Sequence, residues 1–159
     1  MFSTTFDNLV KFDFYSEMWL ERNMKFWKEI IEYAEKKNVI CLYCNVWDES
    51  PYLLKELFEY INSKYFRFAF DIGHANYISN LSLDIWVETM KEYISYVAVH
   101  DNYGDKDAHL GIGKGNINLI DIVNKINNNC KDVVWCIQTF DKGDTQESIN
   151  LLRSFIKDI

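Results

Sequence analysis

At 159 residues the chain is long enough for one domain with a real core, and its length suggests a single domain over 1–159. A hydrophobic share of 48% and an aromatic share of 16% exclude a disordered chain. The net charge of −7, with no Lys/Arg cluster, argues against a surface built to neutralise nucleic-acid phosphates.

No apolar run approaches the ~18 residues of a membrane span, and "MFSTTFDNLVKF" lacks the charged start and apolar stretch of a signal peptide. These features lead to the expectation of a soluble, cytoplasmic protein. Along the chain, "SEMWLERNMKFWKEIIEYAEKK" carries apolar residues at helical spacing, with Ser16 as a candidate cap. "VICLYCNV" follows as a strand. "SPYLLKELFEYINS" predicts a helix with Ser50 as N-cap and Pro51 at its first position. "YFRFAFDI" is the next strand and "LSLDIWVETMKEYI" the next helix. Strand "YVAVHD", asparagine-capped helix "INLIDIVNKINNN", strand "VVWCIQTF" and closing helix "TQESINLLRSFIKDI" complete the pattern. Strands alternating with helices predict right-handed βαβ units and a parallel sheet.

Alternation assigns the strand faces. Phe68 and Phe70 oppose Ala69 and Asp71, Val97 and Val99 oppose Ala98 and His100, and Trp135 and Ile137 oppose Cys136 and Gln138. Bulky residues on one face, and a small then a polar residue on the other, suit a barrel wall of the (β/α) type. The polar residue falls at the C-terminal end of each strand, where α/β proteins build their sites.

Cys44, Asp71, His100 and Gln138 thus share one rim. The chain has three histidines, and each lies within three residues of an aspartate. His74 follows Asp71 across a glycine turn, and Asp107 and His109 share one face of an extended loop. Imidazole with carboxylate is a ligand set for zinc, manganese or iron; a hydrogen-bonded polar rim is the alternative. "CLYC" has the C-x-x-C spacing, but on a strand Cys41 and Cys44 point to opposite faces and read as two reduced cysteines. "HLGIGKGNIN" is a glycine-rich loop that reads as a plain turn or as a phosphate cradle, and it lacks P-loop spacing. Trp47-Asp48-Glu49 reads as capping and surface charge.

"CNVWDESP", "FAFDIGHANY", "VAVHDNYGDKDAHLGIGKGNIN" and "IQTF" together resemble the xylose isomerase-like superfamily of TIM barrels, which holds sugar-phosphate isomerases and epimerases and the endonuclease IV group. The resemblance covers almost the whole chain. It implies a metal-dependent isomerase or epimerase acting on a small sugar or sugar phosphate, with zinc or manganese as cofactor. Asp71 and His100 correspond to a central metal, and His74, Asp107 and His109 to a further zinc of the endonuclease-like members. Asn45, His74 and Lys106 are the implied substrate contacts. Two positions depart from the family, whose strand-end glutamates are here Cys44 and Gln138. Gln138 has no carboxylate to act as a base, so the catalytic residues stay unassigned and activity is expected to be impaired. A non-catalytic half-barrel that binds metal or a partner is one alternative, and a phosphodiesterase on apurinic DNA another. The family barrel has eight strands and this chain supplies the last four, so it is expected to pair with itself or with an N-terminal half.

Overall fold

A computed structural model of the chain describes the backbone over residues 6–156 and the side chains over 15–156. In chain order the elements are α1 (Phe6–Lys37), β1 (Cys41–Cys44), α2 (Pro51–Ile61), β2 (Phe66–Asp71), α3 (Ile72–Ile78), α4 (Leu83–Met90), β3 (Ile94–Val99), α5 (Leu119–Asn129), β4 (Val134–Ile137) and α6 (Lys142–Phe155). The four strands form one sheet in the order β1-β2-β3-β4, with β2, β3 and β4 parallel. This is the expected α/β architecture, half the strand count of a TIM barrel.

The chain falls into two compact units, one from Met1–Cys41 and Tyr52–Phe66, the other from Leu42–Pro51 and Arg67–Ile159. In the first, Phe66 is sandwiched by aromatic rings. Phe58 stacks on it at 4.2 Å and Trp27 lies 4.9 Å away, so α2 and α1 meet over one buried side chain. Pro51 opens α2, as its fixed φ favours. Ser16 lies inside α1 and is not its cap. Nothing in "FDNLVKFDFYS" breaks a helix, so the helix starts ten residues earlier, at Phe6.

In the second unit the faces follow the alternation. Phe68 and Phe70 stack against Trp86 of α4 at 6.4 and 6.0 Å, all three fully buried. Along the register Phe70, Val97 and Trp135 form one row, and Asp71, Ala98 and Cys136 the next. The second row faces the site.

α3 was not expected. "IGHANYI" reads as a glycine turn, but Asp71 caps it and seven residues wind into a helix. At α5, Asn118 holds the cap position without a side-chain cap bond, its amide donating to Asp121 instead. α6 begins three residues before the expected start because Asp141 accepts from the Gly143 and Asp144 amides at 2.7 and 3.1 Å. The last residues of its expected span, 157–159, lie outside the described residues, as do residues 1–5 of the N-terminal stretch read against a signal peptide. No helix among the described residues is long and apolar enough to cross a membrane.

Candidate metal centre

β2 delivers Asp71 to the sheet's C-terminal edge, and Asn45, just past β1, fixes it there. The Asn45 side chain mimics a peptide group: its Oδ1 accepts from the Asp71 amide at 2.8 Å and its Nδ2 donates to the Asp71 carbonyl at 2.9 Å. Asn45 is 1% exposed, so this implied substrate contact is buried against the backbone of a site residue. Asp71 Oδ1 then accepts from the His74 amide at 2.8 Å and lies 2.9 Å from His100 Nε2. A single carboxylate thus caps α3 and orients the histidine of the neighbouring strand.

The loop after β3 is organised by two residues that sequence reasoning left without a role. Asp101, fully buried, accepts from the amides of Gly113, Gly115 and Ile117 at 3.0, 2.9 and 3.1 Å. The glycine-rich loop therefore cradles an anion, but that anion is the chain's own carboxylate rather than a phosphate. Asp101 and Leu110 also exchange both backbone bonds, at 2.8 and 2.9 Å, which swings His109 back to the strand ends. His109 takes φ 47, a left-handed conformation uncommon outside glycine. Its ring stacks on His100 at 3.9 Å and 6°, and Phe140 covers its other side at 4.5 Å. Asn102, also fully buried, donates to the Gly73 carbonyl of α3 at 2.8 Å.

The outer nitrogens of two rings are oriented by backbone carbonyls. His74 Nδ1 lies 3.0 Å from the Asn45 carbonyl and His109 Nδ1 lies 2.7 Å from the Gln138 carbonyl. A carbonyl only accepts, so each Nδ1 carries a proton, and in the neutral ring each Nε2 presents a lone pair. Both lone pairs face Asp107 Oδ2, at 3.3 and 3.2 Å. With both rings neutral the three acceptors repel, and a bound cation relieves that repulsion, as a proton on a ring would. His100 brings its Nε2 to 3.9 Å from Asp107 Oδ1, while its Nδ1, buried against Gly73, has no hydrogen-bond partner among the described residues. One ligand atom from each of His74, His100, Asp107 and His109 lies within 4.8 Å of the others, and Cys44, Asp71 and His74 form a second such group. The donor set fits a divalent metal, and the carbonyl contacts are the outer support that ligating histidines normally have.

The structure thus brings Asp71, His74, His100, Asp107 and His109 together. Cys44 adjoins this cluster. Its thiol is exposed on one side; desolvation by the protein on the other, then the Asp71 and Asp48 carboxylates, push it up to about 12. All four cysteines are free thiols, and the alternating exposure of β1 sets Cys41 and Cys44 on opposite faces, as expected. Gln138 reaches Tyr96, whose phenol a hydrogen bond with Cys136 and then burial push up to about 12. Asp48 accepts from the Tyr43 hydroxyl at 3.1 Å, and burial raises its carboxyl. Lys106 is exposed and lines a cavity of ≈ 420 Å³ with Tyr103, Asp105 and Asp107.

Residues 10–155 match the family described as xylose isomerase-like TIM barrel. An uncharacterized protein of Methanocaldococcus jannaschii is 32% identical over 147 residues, covering 87% of this chain and 50% of its own length. Among solved structures, a D-tagatose 3-epimerase-like protein superposes with a TM-score of 0.78 at 32% identity, over 90% of this chain and 56% of its own. A Thermus thermophilus protein soaked with zinc chloride superposes with a TM-score of 0.73 at 20% identity, over 88% of this chain and 55% of its own. The chain spans about half the length of the relatives it matches. With a match that runs across both compact units, and with its strand-end residues in the expected places, the chain belongs to the xylose isomerase-like TIM barrel family.

Proposed function

We propose that the chain is a divalent-metal-binding member of its family, derived from sugar or sugar-phosphate isomerases and epimerases and impaired in their proton transfer. The observation that carries the metal reading is the meeting of two imidazole Nε2 atoms and the Asp107 carboxylate at 3.2–3.3 Å. His74, Asp107 and His109 hold the ion, with Asp71 and His100 beside them. A bound divalent ion supplies Lewis-acid polarisation of a carbonyl or hydroxyl oxygen. A small sugar suits the likeness to the epimerase-like structure, and Lys106, beside the cavity, suits a phosphate group on it.

The impairment lies in the partners. Gln138 can donate and accept hydrogen bonds but cannot take a proton from carbon. Cys44, beside Asp71 and Asp48, keeps its thiol proton and makes a weak base. This favours a second reading, a protein that keeps the scaffold and the ion without turnover. The open edges of β1 and β4, with Leu42 and Val134 exposed on the site-facing side, support pairing with a second copy or with a chain carrying the other four strands.

The first test is zinc titration of the purified protein with metal analysis. One equivalent bound by the native chain is expected, and His74→Ala or His109→Ala should weaken it by at least 10–100-fold, the cost of losing outer supports alone. Native affinity in both variants would sink the assignment. Activity is tested by Cys44→Glu with Gln138→Glu: ketohexose epimerisation that rises above the native chain's supports the impaired-enzyme reading. No rise leaves the non-catalytic reading standing.

A further inference from the structure

Three consecutive residues leave β3, and they point in three directions. His100 turns to the cluster, Asp101 to the loop that carries His109, and Asn102 to α3 and the loop that carries Asp107. Asn102 has no exposure, and both polar atoms of its side chain are hydrogen-bonded. Its Nδ2 donates to the Gly73 carbonyl at 2.8 Å, one residue before His74. Its Oδ1 accepts from Asn76 Nδ2 at 2.8 Å, two residues after His74, and from the Gly104 amide at 2.9 Å. Its own carbonyl accepts from the Asn116 amide at 3.0 Å. α3 has only seven residues, too few to hold its orientation by helix hydrogen bonds alone. Asn102 grips it on both sides of His74, and through Gly104 (φ 77) fixes where the loop towards Asp107 departs.

We propose that Asn102 is the positioning residue of the metal centre, setting His74 and Asp107 against His100 without touching the ion. An amide is the group this place requires. Aspartate keeps the acceptor for Asn76 and Gly104 but turns a lone pair on the Gly73 carbonyl, and alanine removes both arms. This inference rests on the metal reading above, and its test separates the two.

The experiment compares the native chain with Asn102→Asp and Asn76→Ala, using zinc chloride against a chromophoric chelator and long-range proton–nitrogen correlation of the histidine rings. The native chain should bind zinc and show His74 as a single tautomer protonated at Nδ1. Asn102→Asp should weaken zinc by 10–100-fold and split or average the His74 ring signals, and Asn76→Ala should do the same by a smaller factor. A residue that only supports the fold would lower the thermal midpoint and leave the His74 signals unchanged. If Asn102→Asp does not fold, Asn76→Ala decides. Native zinc affinity with unchanged His74 signals, in whichever variant folds, overturns the proposal. If the native chain takes up no zinc, the metal reading fails, and the His74 signals alone decide the positioning.

Discussion

At Gly73 there is no room for a side chain, because a β-carbon would lie 2.0 Å from Cε1 and 2.3 Å from Nδ1 of His100. The ring is buried between Asp71 and His109 and cannot step aside. Gly73→Ala should therefore cost about 1–3 kcal/mol, read as a lower urea midpoint, and should weaken zinc binding at the same time. Asp101→Asn tests a different residue-scale dependence. Three loop amides and the Asn102 amide converge on that carboxylate, and an amide nitrogen in place of one oxygen meets donors with a donor. A loss of about 1.5–3 kcal/mol is expected in equilibrium unfolding, since bonds to a buried charged acceptor are the strong ones. At this scale much was legible from the sequence. Asp71, His74, His100, Asp107 and His109 were visible as strand-end and loop residues, because alternation and short spacing are local. The roles of Asp101, Asn102 and Phe140 were not, because each depends on a partner far along the chain. Asn45 shows the same limit from the other side: its position was evident, but its amide turned inward to Asp71.

At the scale of elements, two aspartates cap two helices with different consequences. Asp141 caps α6 at a largely exposed start, so Asp141→Ala should cost about 1 kcal/mol and leave zinc affinity unchanged. Asp71 caps α3 while also bonding His100, so a substitution there should disturb helix and centre together. The longer helices followed from periodicity over eight or more residues, and the strands from shorter apolar runs between them. α3 escaped because seven residues with one glycine show no clear period, and its helix forms on an aspartate cap and on Asn102 from the loop after β3. Ser16 misled for the opposite reason, since a good capping residue inside a continuous helical sequence has no cap to make.

At the scale of the molecule, the sheet ends at β1 and β4, and Val134 and Leu42 remain 59% and 42% exposed. Unpaired edge strands with apolar side chains are association surfaces. Sedimentation at micromolar concentration should show an assembly larger than one chain, or a monomer that becomes a defined complex when the missing four strands are supplied. A stable monomer indifferent to them would contradict the pairing. The number and order of the strands were legible, because each strand is a short local signal. Pairing with another chain is not a local property, and alternation along a strand does not reveal it.

The glycine-rich loop, with Asp101 at its centre, has one further consequence. Gly113, Gly115 and Ile117 lie outside every helix and strand, yet their amides bond to a carboxylate with no solvent exposure. Those protons are free to exchange when their bonds to Asp101 break, and Asp101 is tied to the end of β3. Amide hydrogen exchange should therefore find this irregular segment opening with the β3 strand rather than on its own, as slow to exchange as the sheet beside it.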